Sequence, residues 1–189
     1  QAVYWWRSAA EQGDEDAQFA LGVSYFIGRG VVQDFEQAVH WFRLAAEQGD
    51  EEAQYLLGIS YLIGQGVEQD DEKAVHWFRL AAERGNAKAQ KYLGELYDQG
   101  LGVEKDHERA VHWYRLAAEQ GNADAQYNLG VSYNLGEGVE QDEPDRPAED
   151  DVARHQDHDS GGHRCHGSHH RKHREGYAQD RGGSIASAE

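Results

Sequence analysis

Two sets of residues in this 189-residue chain have types and spacings that could do chemistry. The first is a cluster near the C-terminus, His155, His158, His163, Cys165, His166, His169, His170 and His173, whose imidazole and thiol groups suit zinc, nickel or copper. The tightest run of it is His163, Cys165, His166, His169 and His170. Its spacing is irregular and no apolar residues surround it, so the chemistry it allows is loose chelation, set against a plain polar tail or an altered reading frame. The second set is a ladder: His40, His76 and His112 recur at one interval, each followed three residues later by Arg43, Arg79 and Arg115. Imidazole and guanidinium donors in a row suit a peptide backbone or an acidic side chain. The ladder is also what plain duplication of one exposed helix face would produce, with weak surface pairs to residues such as Glu47. A metal shared along it is disfavoured, because neighbouring helices stand roughly 8 to 10 Å apart and each supplies one histidine.

Catalytic constellations are missing from the sequence. It contains no G-x-S-x-G elbow, no phosphate-binding G-x-x-x-x-G-K loop and no H-E-x-x-H pair. Carboxylates abound, yet no spacing sets one pair apart as acid and base. The expectation is that the chain is not an enzyme and carries no cofactor.

The ladder interval is 36 residues, and it belongs to a repeat. AVYWWRSAAEQG from Ala2, AVHWFRLAAEQG from Ala38, AVHWFRLAAERG from Ala74 and AVHWYRLAAEQG from Ala110 are copies of one segment. Each leads into a second segment, DAQFALGVSY, EAQYLLGISY, KAQKYLGELY or DAQYNLGVSY, and then into a glycine loop. A step of about 100° per residue places Ala38, Val39, Trp41, Phe42, Ala45 and Ala46 on one arc, with His40, Arg43 and Glu47 opposite, so the first segment is an amphipathic helix. Asp34 stands where an N-cap is needed, Gln37 falls at the third helical position and Gly49 supplies a left-handed stop. Asp50 can cap the second helix immediately afterwards, as Asp14, Asn86 and Asn122 can in the other units, so the two helices are antiparallel. Ala45, Ala46, Ala53 and Gly58 are expected on the facing sides of that pair. Helices this short are marginal alone in water, so each unit must lean on the next.

The pattern A-x-x-W-[FY]-x-x-A-A-x-x-G, then A-Q-x-x-L-G-x-x-Y, then G-x-G-V-x-x-D, resembles the Sel1-like repeat, a relative of the tetratricopeptide repeat. The fold expected is all-α: a right-handed α-solenoid of antiparallel helix pairs with a disordered C-terminal tail. The units read as 2–37, 38–73, 74–109 and an incomplete 110–142, followed by a low-complexity tail at 143–189. The resemblance implies a superhelix whose first helices line a concave groove, used by adaptors and scaffolds to bind other proteins. It also raises a β-lactamase-like hydrolase activity associated with cysteine-rich members, which this chain disfavours because Cys165 is its sole cysteine and lies outside the repeats.

A second docking candidate is a stripe on the second helices: Phe19, Val23 and Phe26, then Tyr55, Ile59 and Leu62, then Lys91, Glu95 and Asp98, then Tyr127, Val131 and Asn134. If exposed, its apolar half marks an association surface led by Phe19 and Tyr55; otherwise it is packing between successive units. A net charge of −17 argues against nucleic acid or an anionic membrane as partner. No apolar run is long enough to enter a membrane. The expected partner is a protein or peptide, with self-association through uncapped repeat ends as a further expectation. The chain opens at Gln1, has no Met and starts inside the repeat, so it reads as a fragment or processed product. The compartment is open: cytoplasmic, or periplasmic or secreted if a signal peptide has been lost.

Overall fold

The computed structural model describes residues 1–138 of the chain. Among them are eight helices and no strand: α1 (Ala2–Ala10), α2 (Glu15–Ile27), α3 (Phe35–Gln48), α4 (Glu51–Ile63), α5 (Asp71–Glu83), α6 (Ala87–Gln99), α7 (His107–Glu119) and α8 (Ala123–Leu135). Each packs on its neighbours in chain order, which makes an all-α solenoid. The tail is outside the described residues.

Local chemistry sets the boundaries. Asp34, Asp70 and Asp106 accept from the backbone N–H groups of Gln37, Lys73 and Arg109 at 2.9, 3.0 and 3.0 Å, capping α3, α5 and α7. Asp14, Asp50, Asn86 and Asn122 cap the even-numbered helices in the same way, onto Ala17, Ala53, Ala89 and Ala125. The turns joining α3 to α4, α5 to α6 and α7 to α8 pass through left-handed Gly49, Gly85 and Gly121, at φ 115°, 100° and 87°.

Within the first three tight hairpins a buried glutamine ties the two helices, and in the fourth the exposed Gln126 does the same to Ala118. Gln18, Gln54 and Gln90 donate to the carbonyls of Ala10, Ala46 and Ala82 at 3.2, 3.0 and 3.1 Å. Each of these carbonyls, near the end of the preceding helix, accepts the N–H of the turn glycine as well, so the glutamine fills its second lone pair.

The tighter seam runs across the glycine loops, between α2 and α3, α4 and α5, and α6 and α7. Its cause is one glycine per junction. A Cβ built on Gly22 would lie 2.6 Å from the ring of Phe42, one on Gly58 2.7 Å from Phe78, and one on Gly94 2.6 Å from Tyr114. Gly58 therefore meets the helix of the following unit, not Ala45 and Ala46 of its own hairpin as the sequence suggested. Hydrophobic periodicity says that a face is buried but not which of two flanking helices buries it. Phe42, Phe78, Leu21, Leu57 and Leu93 are fully enclosed in the resulting core.

Candidate functional site

The arginines of the ladder are already committed. Arg43, Arg79 and Arg115 donate from Nη2 to the hydroxyls of Tyr61, Tyr97 and Tyr133 at 2.9, 3.0 and 3.0 Å. Arg7 and Tyr25 make the same pair in the first hairpin. Each tyrosine lies near the end of the second helix and each arginine on the first, so the bond latches a hairpin. A guanidinium has five N–H donors, and one bond to a neutral hydroxyl leaves its charge and most of its donors free while fixing its direction.

A second cation covers the tyrosine ring in two units. Lys73 Nζ stands 5.4 Å from the centre of Tyr61, and the Arg109 guanidinium 5.6 Å from that of Tyr97. Hydrogen bonding to Tyr97, followed by the charges of Tyr97 and Asp106, raises the Arg109 pKa. Arg79, Tyr97 and Arg109 line a pocket of about 330 Å³ together with Val103, Glu104, Lys105 and Asp106. His40, His76 and His112 are exposed beside this row, each edge-on to the adjacent Trp41, Trp77 or Trp113 at 5.1, 5.1 and 5.2 Å. The ladder is a line of preset donors on an exposed helix face.

The stripe on the second helices has a different environment. Phe19 and Tyr55 are half-buried in seams between units. The Phe19 ring is 6.1 Å from Phe42, and Tyr55 lies 6.1 Å from Phe78 and 6.0 Å from Tyr92. Burial, with smaller contributions from Tyr92 and Glu52, pushes the Tyr55 phenol up to about 12. Tyr127, at the same position in α8, is 73% exposed.

At the third unit the stripe turns charged without leaving the seam. Lys91 is 9% exposed, with its ammonium 3.5 Å from the centre of Tyr92 and 3.3 Å from Glu95. Burial, then the carboxylates of Asp98 and Glu95, drives the Tyr114 phenol far above its ordinary value.

One constellation escaped the sequence reading. Asp98 in the last turn of α6, His107 at the start of α7 and Glu137 in the loop after α8 bring one ligand-type atom each within 4.8 Å of one another. His107 Nδ1 is 2.7 Å from Asp98 Oδ1 and 3.8 Å from Glu137 Oε2. The signal lay in aligned positions: Asp98, His107 and Glu137 stand where the preceding unit has Leu62, Asp71 and Leu101, and the one before that Phe26, Phe35 and Gln65. The tail candidates His163, Cys165, His166, His169 and His170 lie outside the described residues.

The described residues thus form a solenoid of paired helices that carries a repeating row of donors on one face, the architecture of a helical repeat protein. The Sel1 repeat model matches at residues 1–14, 15–50, 51–86, 87–122 and 123–146, and the chain belongs to the Sel1 repeat family. The matched segments keep the 36-residue period and cut it at the second helix of each hairpin. Sel1 repeat proteins generally mediate protein–protein interaction and are generally non-enzymatic.

Among solved structures, the chain is similar to a protective antigen of uropathogenic Escherichia coli strains with an SLR fold, at 47% identity and a TM-score of 0.71. It is also similar to a Sel1 repeat protein from Oxalobacter formigenes, at 41% identity and a TM-score of 0.70. These alignments cover 72% of this chain but 29% and 56% of the two relatives, so the chain spans only part of their length. Helicobacter pylori cysteine-rich protein B shares the fold at 24% identity and a TM-score of 0.54, over 68% of this chain and 92% of that one. A comparison with curated protein sequences finds no match. Among the described residues no helix is long and apolar enough to cross a membrane.

Proposed function

We propose that this chain is a non-enzymatic interaction module that holds a partner protein or peptide along the ladder of His40, Arg43, His76, Arg79, His112 and Arg115. The observation that carries this reading is the latch: each ladder arginine is oriented by a tyrosine hydroxyl of its own hairpin. Orienting a long side chain before binding removes part of the rotamer entropy that binding would otherwise cost. In the pocket between Arg79 and Arg109, Arg109 is paired with Asp106 at 3.1 Å and Glu104 also lines the wall, so Arg79, bonded only to a neutral hydroxyl, is the group there that an acidic side chain of the partner would meet. Phe19 and Tyr55 act in this reading as supports within the seams, because their rings pack on neighbouring helices.

Affinity capture by the full chain, repeated with the charge reversals R43E, R79E and R115E combined, tests the assignment. Loss of specific partners from the variant is the expected result. An unchanged set of partners with a variant that retains its helicity would overturn it. Turnover of a β-lactam by the purified chain would overturn the non-enzymatic part.

A further inference from the structure

Asp98, His107 and Glu137 come from three separate elements, and their meeting has a structural cause. The positions that hold Asp98 and His107 in the third unit hold Phe26 and Phe35 in the first, whose rings meet edge-on at 5.4 Å. The fold therefore brings this pair of positions together whatever residues occupy them. Glu137 arrives by a second route. Gly138, at φ 67°, lies so close to the backbone of His107 that a Cβ there would be 2.2 Å from the His107 carbonyl oxygen. Only a residue without a side chain lets the loop close this far, and closing it carries the adjacent Glu137 to the imidazole. Gly102 sits in the same way on Asp71, but the neighbouring residues there are Leu101 and Leu62. Asp71 Oδ1 is buried without a hydrogen-bond partner at that junction.

We infer that Asp98, His107 and Glu137 form a binding site for a divalent transition-metal ion of the zinc class. One imidazole nitrogen and two carboxylate oxygens are donor types that zinc accepts, and three protein ligands leave a fourth position for water. With bonds of about 2.0 to 2.2 Å, tetrahedral ligands lie roughly 3.3 Å apart. The observed 2.7 and 3.8 Å separations from the imidazole bracket that distance, and all three ligand atoms lie within 4.8 Å of one another, so small side-chain shifts are what seating an ion would require. The charge balance favours a cation: two carboxylates face one imidazole, and the Asp98 and Glu95 charges already act on Tyr114 nearby. Side-chain exposures of 29% for His107, 39% for Asp98 and 47% for Glu137 leave an entry path. An ion here would bind the end of α6, the start of α7 and the loop after α8 to one centre, stapling the last two hairpins.

Zinc chloride titrated into the full chain, with melting followed by circular dichroism, tests the site. Binding to a site that exists only in the folded array must raise the melting midpoint with zinc concentration, whereas chelation by the tail does not need the array folded. A variant combining H163A, C165S, H166A, H169A and H170A should therefore keep the zinc-dependent rise. H107A, D98N and E137Q should each weaken zinc affinity by at least about tenfold, since even partners one shell further out cost that much. Cobalt substituted for zinc should give a visible absorption band that H107A abolishes and the tail variant retains. The inference is overturned if zinc leaves the midpoint unmoved, if H107A responds like the native chain, or if the tail variant loses the response. Circular dichroism without metal verifies that H107A, D98N and E137Q are folded, and E137Q, altered only in a loop, keeps the test decisive if either of the others is not.

Discussion

Gly58 of α4 lies directly beneath the ring of Phe78 of α5, so closely that a Cβ at position 58 would fall 2.7 Å from the ring. The contact recurs at Gly22 with Phe42 and at Gly94 with Tyr114. It sets the approach of helices across every described junction that has a following helix. At Gly130 of α8 a Cβ would meet nothing within 4 Å.

That difference separates packing from helix propensity. G58A gains up to about 1 kcal/mol of helix propensity and loses about 1 to 3 kcal/mol to overpacking, so it should destabilise the chain. G130A keeps the gain without the loss and should stabilise by about 0.5 to 1 kcal/mol. Urea denaturation of both variants is the measurement, and equal effects would remove the steric account of the seam.

Asp70 and Lys73 give a pH dependence of known sign. Their 2.7 Å ion pair and hydrogen bond hold the Asp70 carboxyl below its ordinary value and the Lys73 ammonium above its own. The Asp70 contribution is therefore present above the unfolded carboxylate value and fades as pH falls through the lowered folded one. The Lys73 contribution is present below the unfolded lysine value and fades as pH rises through the raised one. K73M should bring the Asp70 carboxyl part of the way back towards its ordinary value, as read by carbon NMR, because the backbone N–H of residue 73 still holds it down; the lysine limb should vanish and the acid limb shrink. An Asp70 titration unchanged in K73M would contradict the pairing.

Lys91 and Glu95 occupy places filled by Tyr55 and Ile59 in the preceding unit. Exchanging a largely buried ion pair for apolar residues of similar size is often neutral or stabilising, so K91Y with E95I should hold or raise stability by about 1 kcal/mol. K91A alone should lower it, because Glu95 then remains in the seam without its cation. Denaturant midpoints that fall equally for both would show the charges to be essential to the junction.

Much of this architecture was legible in the residue order. Asp34, Asp50 and Gly49 each announce a helix boundary through local chemistry, and the capping bonds to Gln37 and Ala53 form where the spacing requires. The latch between Arg43 and Tyr61 was not foreseen, although both residues recur in every unit, because a one-letter pattern gives an exposed arginine no partner. The meeting of Asp98, His107 and Glu137 was also hidden, since it depends on a loop closing onto a backbone carbonyl. Its trace is visible only when three aligned positions are compared at once and found to turn polar in the same unit.

The glycine seat has an evolutionary corollary. Excising residues 38–73 would slide Gly22 under Phe78, a ring of the same shape as the Phe42 it now carries, and every surviving joint would fit as before. Unequal crossing-over between gene segments can thus shorten or lengthen the molecule in whole steps without inventing a new joint, so its reach is a heritable variable separate from its foldability.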